Sequence, residues 1–393
     1  MLHAWRAGRA LRRATSSQDT FQTARRARAT ACFWLKVVFM FSLFKRRSRE
    51  PGTARIEPLG IEVTVSSGQS VLQAALEAGV DFPHSCKVGT CMACRCRLLS
   101  GKVKAIRDFS YVLSAEELKA GYILACQAKV APGECIVVEV DVDDQRPHFP
   151  LIDTRGTITA QVPLTHDIVE LHVALEQPMQ YAAGQYAMLR VAHLDRSREY
   201  SFATAPSEGG DREVEFFVRL TPGGEFTGWL FDRPRVGEVL EVSGPAGDFW
   251  LRSADAPLLF VAGGSGLAPV LSVLEAAARA HVRRDAVMLF GARTQRDLYK
   301  LDNIAAISAR WAGSFHFLPV LSHEPPDSDW SGARGLVTDF LAPEHVPNIA
   351  SRHAYLCGPP GMIDAAIGVL AAAGVPAAHI HYDKFLDAGS LAR

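Results

Sequence analysis

The chain of 393 residues has no apolar run long enough to cross a bilayer. Its longest candidate, Ala31 to Phe44, covers about fourteen residues and is broken by Lys36, where roughly twenty are needed. It also has no net charge: 42 Lys and Arg balance 42 Asp and Glu, so no global field draws nucleic acid. Eight cysteines are too few to staple a chain this long with disulfides, and thiolates reserved for a metal argue for a reducing compartment. No internal repeat or low-complexity segment follows residue 50. A length of 393 residues exceeds what one core supports, so two or three domains are expected.

The charge balance conceals an asymmetry. Residues 1–50 carry twelve Lys or Arg, from Arg6 to Arg49, against Asp19 and Glu50 alone. Three readings fit this end: a true start at Met40, an Arg-rich organelle transit peptide, or a basic amphipathic anchor lying on a membrane surface. Residues 1–54 are expected to stand outside the fold.

Cys86, Cys91, Cys94 and Cys126 are spaced C-x4-C-x2-C…C, the pattern that plant-type [2Fe-2S] ferredoxins use to hold two bridged irons. A tight loop relieved by Gly89 presents three thiolates to one small volume, and a later segment brings the fourth. Zinc is the alternative, but zinc ribbons usually pair two C-x2-C knuckles and only one is present. Cys96 in place of Cys94 would break the x2 spacing. A Rieske site would need a second histidine at matched spacing to partner His84, and none is evident.

The pattern along the chain predicts three modules. From Gly60 the alternation Ile61, Val63, Val65 reads as a strand; Ser70 caps a helix over Val71 to Ala78, and Gly79 stops it. Ser114 to Glu117 resembles a capping box, and Ile136 to Val140 closes a small α+β ferredoxin module of the β-grasp kind over residues 55–142. Residues 141–150 read as a linker. Short strands over residues 152–252, among them Val169 to Leu175 and Val214 to Leu220, predict an antiparallel β-barrel. Over residues 255–393 buried strands alternate with helices, beginning with Leu258 to Ala262 and a helix from Leu267 to Ala280. That alternation predicts an α/β parallel sheet.

Two segments of the barrel carry further motifs. Arg198-Glu-Tyr200-Ser201 matches the R-x-Y-S pattern of the ferredoxin-NADP reductase superfamily. Arg219 to Thr227, with Gly223 and Gly224, resembles that family's phosphate loop leading into a helix. Gly184-Gln185-Tyr186 fits its strand beside the flavin. In the last module Gly263-Gly264-Ser265-Gly266-Leu-Ala-Pro269 lies between strand and helix, where glycines let a pyrophosphate approach backbone amides. Cys357-Gly358-Pro359-Pro360 matches the family's C-G-P-P motif.

The order of ferredoxin, flavin barrel and nucleotide domain is similar to that of reductase components of bacterial multicomponent oxygenases, over about residues 55 to 390. The resemblance implies a cytoplasmic electron-transfer oxidoreductase that uses NAD(P)H, FAD and a [2Fe-2S] cluster. Its partner would be a terminal oxygenase, a hydroxylase or a ferredoxin. It implies Arg198 on the flavin phosphates, Tyr200 against the flavin ring, Ser201 near N5, and Cys357 beside the nicotinamide, with Ser201 and Cys357 as catalytic residues. Phe385, in His381-Tyr-Asp-Lys-Phe385, matches the family's terminal aromatic near the flavin. NADH is expected over NADPH, with Asp297 as a candidate acid for the ribose, although Arg293 and Arg296 lie close by. Two alternatives stay open: a reductase of the deoxysugar-dehydrase type, and a zinc-binding regulatory module with a vestigial flavin site.

Overall fold

The computed structural model describes residues 50–80, 82–84, 89, 92–140, 147 and 149–385. The basic segment before residue 50 and most of the linker lie outside these, and so do Cys86 and Cys91. Among the described residues no helix is long and apolar enough to cross a membrane.

The first module begins earlier than its sequence suggests. Strand β1 occupies Gly52–Glu57, so residues expected in the tail already belong to a sheet. The alternation of β1 is weak in sequence because its inward positions include Gly52 and Ala54, while Arg55 and Glu57 form an outward ion pair at 2.6 Å. β2 (Ile61–Val65) pairs antiparallel with β1, while β7 (Cys135–Val140) pairs parallel with it. With β3 (Arg95–Ser100) and β5 (Tyr122–Leu124) they form a five-stranded sheet in the order β2-β1-β7-β3-β5, and β4 (Val103–Ala105) pairs with β6 (Ala128–Val130). Helix α1 (Val71–Glu77) starts where Ser70 Oγ accepts from the Gln73 amide at 3.2 Å and lays Val71, Leu72, Ala74 and Ala75 into the core. Helix α2 (Ala115–Lys119) carries the expected capping box: Ser114 serves the Glu117 amide and Glu117 serves the Ser114 amide.

The second module is one curled antiparallel sheet. β8 (Ile152–Pro163), β9 (Ile168–Met179), β10 (Tyr186–Arg190), β11 (Arg198–Ser201), β12 (Asp211–Arg219) and β13 (Val239–Ala246) stand in the order β11-β10-β13-β8-β9-β12. A bridge between Phe202 and Phe216 joins the two edges, and that closure leaves few backbone groups unpaired. Inside lie Leu171, Val173, Leu189, Val214, Leu240 and other fully buried side chains. Helix α3 (Glu225–Asp232) adds Phe226 and Leu230 to that core.

The third module is a six-stranded parallel sheet, β17-β16-β15-β14-β18-β19. It is built from β14 (Leu258–Gly263), β15 (Ala286–Ala292), β16 (Phe315–Leu321), β17 (Ala333–Arg334), β18 (His353–Gly358) and β19 (Ile380–Lys384). All residues of β14 are buried, as a strand covered on both faces requires. Helices α4 (Leu267–Arg279), α5 (Leu301–Arg310) and α6 (Pro360–Ala372) cover it. The chain runs outward from β14 to β17 and then returns to the other side of β14 with β18. The switch point between β14 and β18 opens a crevice at the carboxyl ends of the strands.

Candidate functional site

The cysteine loop meets the core through Cys94. The Ala125 amide donates to the Cys94 carbonyl at 3.0 Å, which sets Cys94 beside the turn Ala125–Gln127 that carries Cys126. Both thiols are buried. Gln127 Nε2 donates to Cys126 Sγ at 3.7 Å, a bond that a thiolate accepts better than a thiol. Gly89, at φ 90°, is clamped: Tyr111 donates to its carbonyl at 2.5 Å, and a Cβ there would meet the Tyr111 hydroxyl at 2.4 Å and Gln127 Cγ at 2.6 Å. Only glycine fits. Cys96 is a different case, because burial first, and Cys126 second, push its thiol up to about 12. It stays protonated inside the sheet. His84 Nδ1 contacts the Phe82 carbonyl at 2.8 Å and holds its own loop. Two buried soft sulfurs, that of Cys126 with N–H···S support from Gln127, suit an iron-sulfur group.

The two flavin motifs come together in space. Arg198 Nη2 lies 3.6 Å from Glu225 Oε2 at the first residue of α3, and the Tyr200 and Phe226 rings are 5.2 Å apart. Burial pushes the Tyr200 hydroxyl up, so it remains neutral. Ser201 is buried at the end of β11, opposite Tyr186. Thr227 closes the loop on itself: its Oγ accepts from the Thr221 amide at 3.1 Å and donates to the Thr221 carbonyl at 3.3 Å. Its hydroxyl therefore shapes the phosphate loop from within. Gly184 packs rather than binds, since a Cβ there would stand 2.2 Å from the Phe249 carbonyl.

Helix starts differ in how their first amides are used. α1 and α2 spend serine side chains on their first amides, whereas α3, α4 and α6 begin at Gly224, Gly266 and Pro359 with no side-chain cap. Uncapped amides at a helix start are free for an anion. α5 also begins without a side-chain cap, and Lys300 before it bonds Glu170 of the barrel at 2.7 Å. The α4 and α6 ends border a cleft of about 360 Å³ between the second and third modules. Gly263, Gly264, Pro359 and Met362 form one wall, and Arg219, Asp167 and Ile168 of the barrel form the other. Arg219 Nε donates to Asp167 Oδ2 at 2.8 Å, so Arg219 faces this cleft while Arg198 stands at the α3 loop. Gly266 has a second reason to be glycine: a Cβ there would lie 2.4 Å from the Cys357 carbonyl oxygen, so the two motif loops interlock.

Asp297 lines the cleft, but its Oδ2 accepts from the Thr294 amide at 2.9 Å and hydroxyl at 2.8 Å, and His166 lies 3.3 Å from Oδ1. Its carboxylate is thus largely committed to its own turn. Arg293 also lines the cleft and is exposed. Cys357 is fully buried, and burial pushes its thiol well up. Asp383 stands beside it in the β18–β19 register, and burial raises its carboxyl to about 6. Sequence reasoning passed over this acid, because only the strand order reveals that β19 lies next to β18. Phe385 donates its amide to the Gly358 carbonyl at 2.9 Å, which brings the terminal aromatic to the same loop.

The modules form a continuous body. Phe217, Ala203 and Phe249 of the barrel share a core with Leu267 and Tyr355 of the nucleotide module. Ala93, next to Cys94, packs on Tyr186 and Ala246 of the barrel. The segment from Ala93 to Cys94, the flavin module and the crevice module are thus joined by packed side chains.

Comparison with known proteins agrees with each module. Residues 54–131 match a 2Fe-2S iron-sulfur cluster binding domain, residues 155–250 an oxidoreductase FAD-binding domain, and residues 260–367 an oxidoreductase NAD-binding domain. The chain is 40% identical over 335 residues to the xylene/toluene monooxygenase electron transfer component XylA of Pseudomonas putida, covering 85% of this chain and 94% of the relative. It is 39% identical to the phenol 2-monooxygenase reductase component DmpP of Pseudomonas sp. strain CF600, covering 80% and 89%. The crystal structure of the Amycolatopsis cytochrome P450 reductase GcoB superposes with a TM-score of 0.66 at 35% identity, covering 85% of this chain and 98% of that one. Neither the deoxysugar-dehydrase nor the zinc-module alternative is favoured by these matches, and the chain belongs to the NAD(P)H-dependent, FAD- and [2Fe-2S]-containing reductase components of multicomponent oxygenases.

Proposed function

We propose that this chain draws electrons from NADH and delivers them one at a time to a terminal oxygenase or hydroxylase, or to its ferredoxin, in the cytoplasm. When bound, FAD accepts a hydride from the nicotinamide and the [2Fe-2S] cluster passes single electrons onward. The observation that carries the reading is the crevice shared by barrel and parallel sheet, with Ala93, beside Cys94, packed on the same barrel.

Each residue then has a task. Cys86, Cys91, Cys94 and Cys126 hold the irons. Arg198 presents a fixed planar cation to the flavin phosphates, and the α3 amides behind Gly223 and Gly224 add favourable dipole. Tyr200, neutral and braced by Phe226, orients the ring, and Ser201 offers a hydroxyl at the reacting edge. Thr227 keeps the loop in shape. Gly263, Gly264, Ser265 and Gly266 seat the second pyrophosphate at the start of α4, with Arg219 opposite. Cys357, Gly358 and Pro359 seat the nicotinamide, and Phe385 covers the flavin side. Burial of Cys357 keeps its sulfur neutral and the seat dry. NADH is the preferred coenzyme by resemblance to the reductase family; Asp297 lines the crevice with Oδ2 held by Thr294 and Oδ1 beside His166.

Anaerobic addition of NADH tests the whole reading. Flavin absorbance should bleach, and a low-temperature EPR signal of a half-reduced diiron centre should appear. A colourless protein holding stoichiometric zinc would refute it. Turnover with an oxygenase component encoded beside this gene tests the partner.

A further inference from the structure

We propose that the hydrogen bond between Tyr382 and Glu117 is a latch that positions the cluster module on the flavin and nucleotide body for electron delivery. This rests on the reading above, in which electrons leave the flavin for the cluster.

Glu117 sits in the first turn of α2 and is 7% exposed. A carboxylate so buried is costly unless fully partnered. Within its own module Arg95 Nη1 donates at 2.5 Å, the Ser114 amide at 2.9 Å and the Ser114 hydroxyl at 3.0 Å. The capping box is complete with these. A further donor arrives from 265 residues away: the Tyr382 hydroxyl, on β19, bonds the same Oε2. Burial pushes the Glu117 carboxyl up, but Arg95, Tyr382 and Ser114 outweigh it and hold the group ionised. The same hydroxyl accepts from the Ser114 amide at 3.3 Å, so one residue of the third module partners both halves of the α2 cap and ties it across the junction.

Its ends sit at both working sites. Arg95 follows Cys94 in sequence, and Tyr382 precedes Asp383, the register partner of Cys357. Met92, between the expected ligands Cys91 and Cys94, is held at φ 57°, a costly backbone for a side chain of its kind. It packs against the cores of both the cluster module and the nucleotide module. It also lines a narrow cavity with Tyr186, Phe249 and Tyr382. A strained residue wedged into the seam and a buried carboxylate answered from the far module describe one docked geometry. Tyr382 and Glu117 are positioning residues: one electron leaves the flavin and one reaches the cluster, and neither residue gains or loses any.

The test is Tyr382→Phe in the holoprotein, which keeps the ring and removes the hydroxyl. Amide exchange over Ser114 to Ala120 and over Ala93 to Arg95 should accelerate about tenfold, the loss expected for a hydrogen bond to a buried charged group. Flavin and iron content, and NADH-driven ferricyanide reduction, should not change. Flavin-to-cluster transfer in stopped flow should slow. Glu117→Gln leaves a neutral, weaker acceptor for Ser114 and Tyr382 alike and should move both readouts the same way by a smaller factor, which guards against a folding defect peculiar to one variant. Exchange unchanged in both variants overturns the latch, as does slower transfer with no change in exchange. A parent protein that transfers no electron from flavin to cluster overturns both the latch and the reading beneath it.

Discussion

Adding one methyl group at Gly266 sets two effects of opposite sign against each other. Its backbone is right-handed, at φ −62° and ψ −6°, so alanine fits the local conformation. Replacing glycine at such a position ordinarily stabilises by about 0.4–1 kcal/mol, through the unfolded chain. The new Cβ would lie 2.4 Å from the Cys357 carbonyl oxygen, 2.5 Å from its carbon and 2.7 Å from Gly358 Cα. All three are backbone atoms, so no rotamer relieves the clash, and the two loops must separate by about 1 Å to restore ordinary contact. Forced overpacking costs about 1–3 kcal/mol, with backbone-on-backbone cases at the upper end. The clash wins, and Gly266→Ala should lose roughly 2 kcal/mol net. Gly368, on the exposed side of α6, is the matched control: a Cβ there meets nothing within 4 Å, and Gly368→Ala should gain up to about 1 kcal/mol. Urea unfolding followed by near-ultraviolet circular dichroism measures both. Because the displaced loops border the crevice, Gly266→Ala should also raise KM for NADH in ferricyanide reduction. A Gly266→Ala protein as stable as its parent, with the same KM, would refute the interlocked-loop argument.

Other expectations are simpler. Asp383→Asn mimics the protonated carboxyl. The unfolded chain ionises near the ordinary 3.8 and the folded protein near 6, so the parent loses stability as pH rises between those values. The variant should thus gain on the parent from pH 4 to 6, up to about 3 kcal/mol, and hold that lead above; a constant difference across pH would count against a buried carboxyl. Cys126→Ser should abolish the iron-sulfur absorbance while ferricyanide reduction persists, and joint loss would contradict separable modules. Arg198→Ala should weaken FAD retention about tenfold, and flavin content unchanged after gel filtration would remove its assigned role. The ratio of kcat/KM for NADH and NADPH should favour NADH; a preference for NADPH would instead assign the exposed Arg293 to a 2′-phosphate.

Much of this architecture is written in local pattern. Ser70 and Ser114 mark two helix starts to the residue, because a cap is a contact over three positions. The buried run Leu258 to Ala262 and the alternation after it expose a parallel sheet for the same reason. β1 escaped because two of its three inward residues, Gly52 and Ala54, are small, which leaves a six-residue strand with one large apolar side chain to mark its period. Asp383, Glu117 and Tyr382 escaped for a deeper reason. Their meaning depends on which strand lies beside which and on how one module meets another, and no spacing within a segment encodes that.

The glycine motif shows how legibility and cause can part. Gly263 to Gly266 reads as a cradle for a phosphate, and the uncapped start of α4 agrees. Yet Gly266 is confined by Cys357, a residue of the other nucleotide motif and of the same chain. The two motifs are each other's steric constraint, so a protein that kept the fold but lost the coenzyme would still need glycine there. Residue type alone therefore cannot separate a binding glycine from a packing one. Gly264 offers the contrast: its φ is 55° and the nearest atom to a Cβ would be Arg219 Nη1 at 3.3 Å, the movable end of a side chain across the crevice. At Gly264 the demand comes from backbone conformation beside the crevice. At Gly266 it comes from the fold itself, through the backbone of the neighbouring motif.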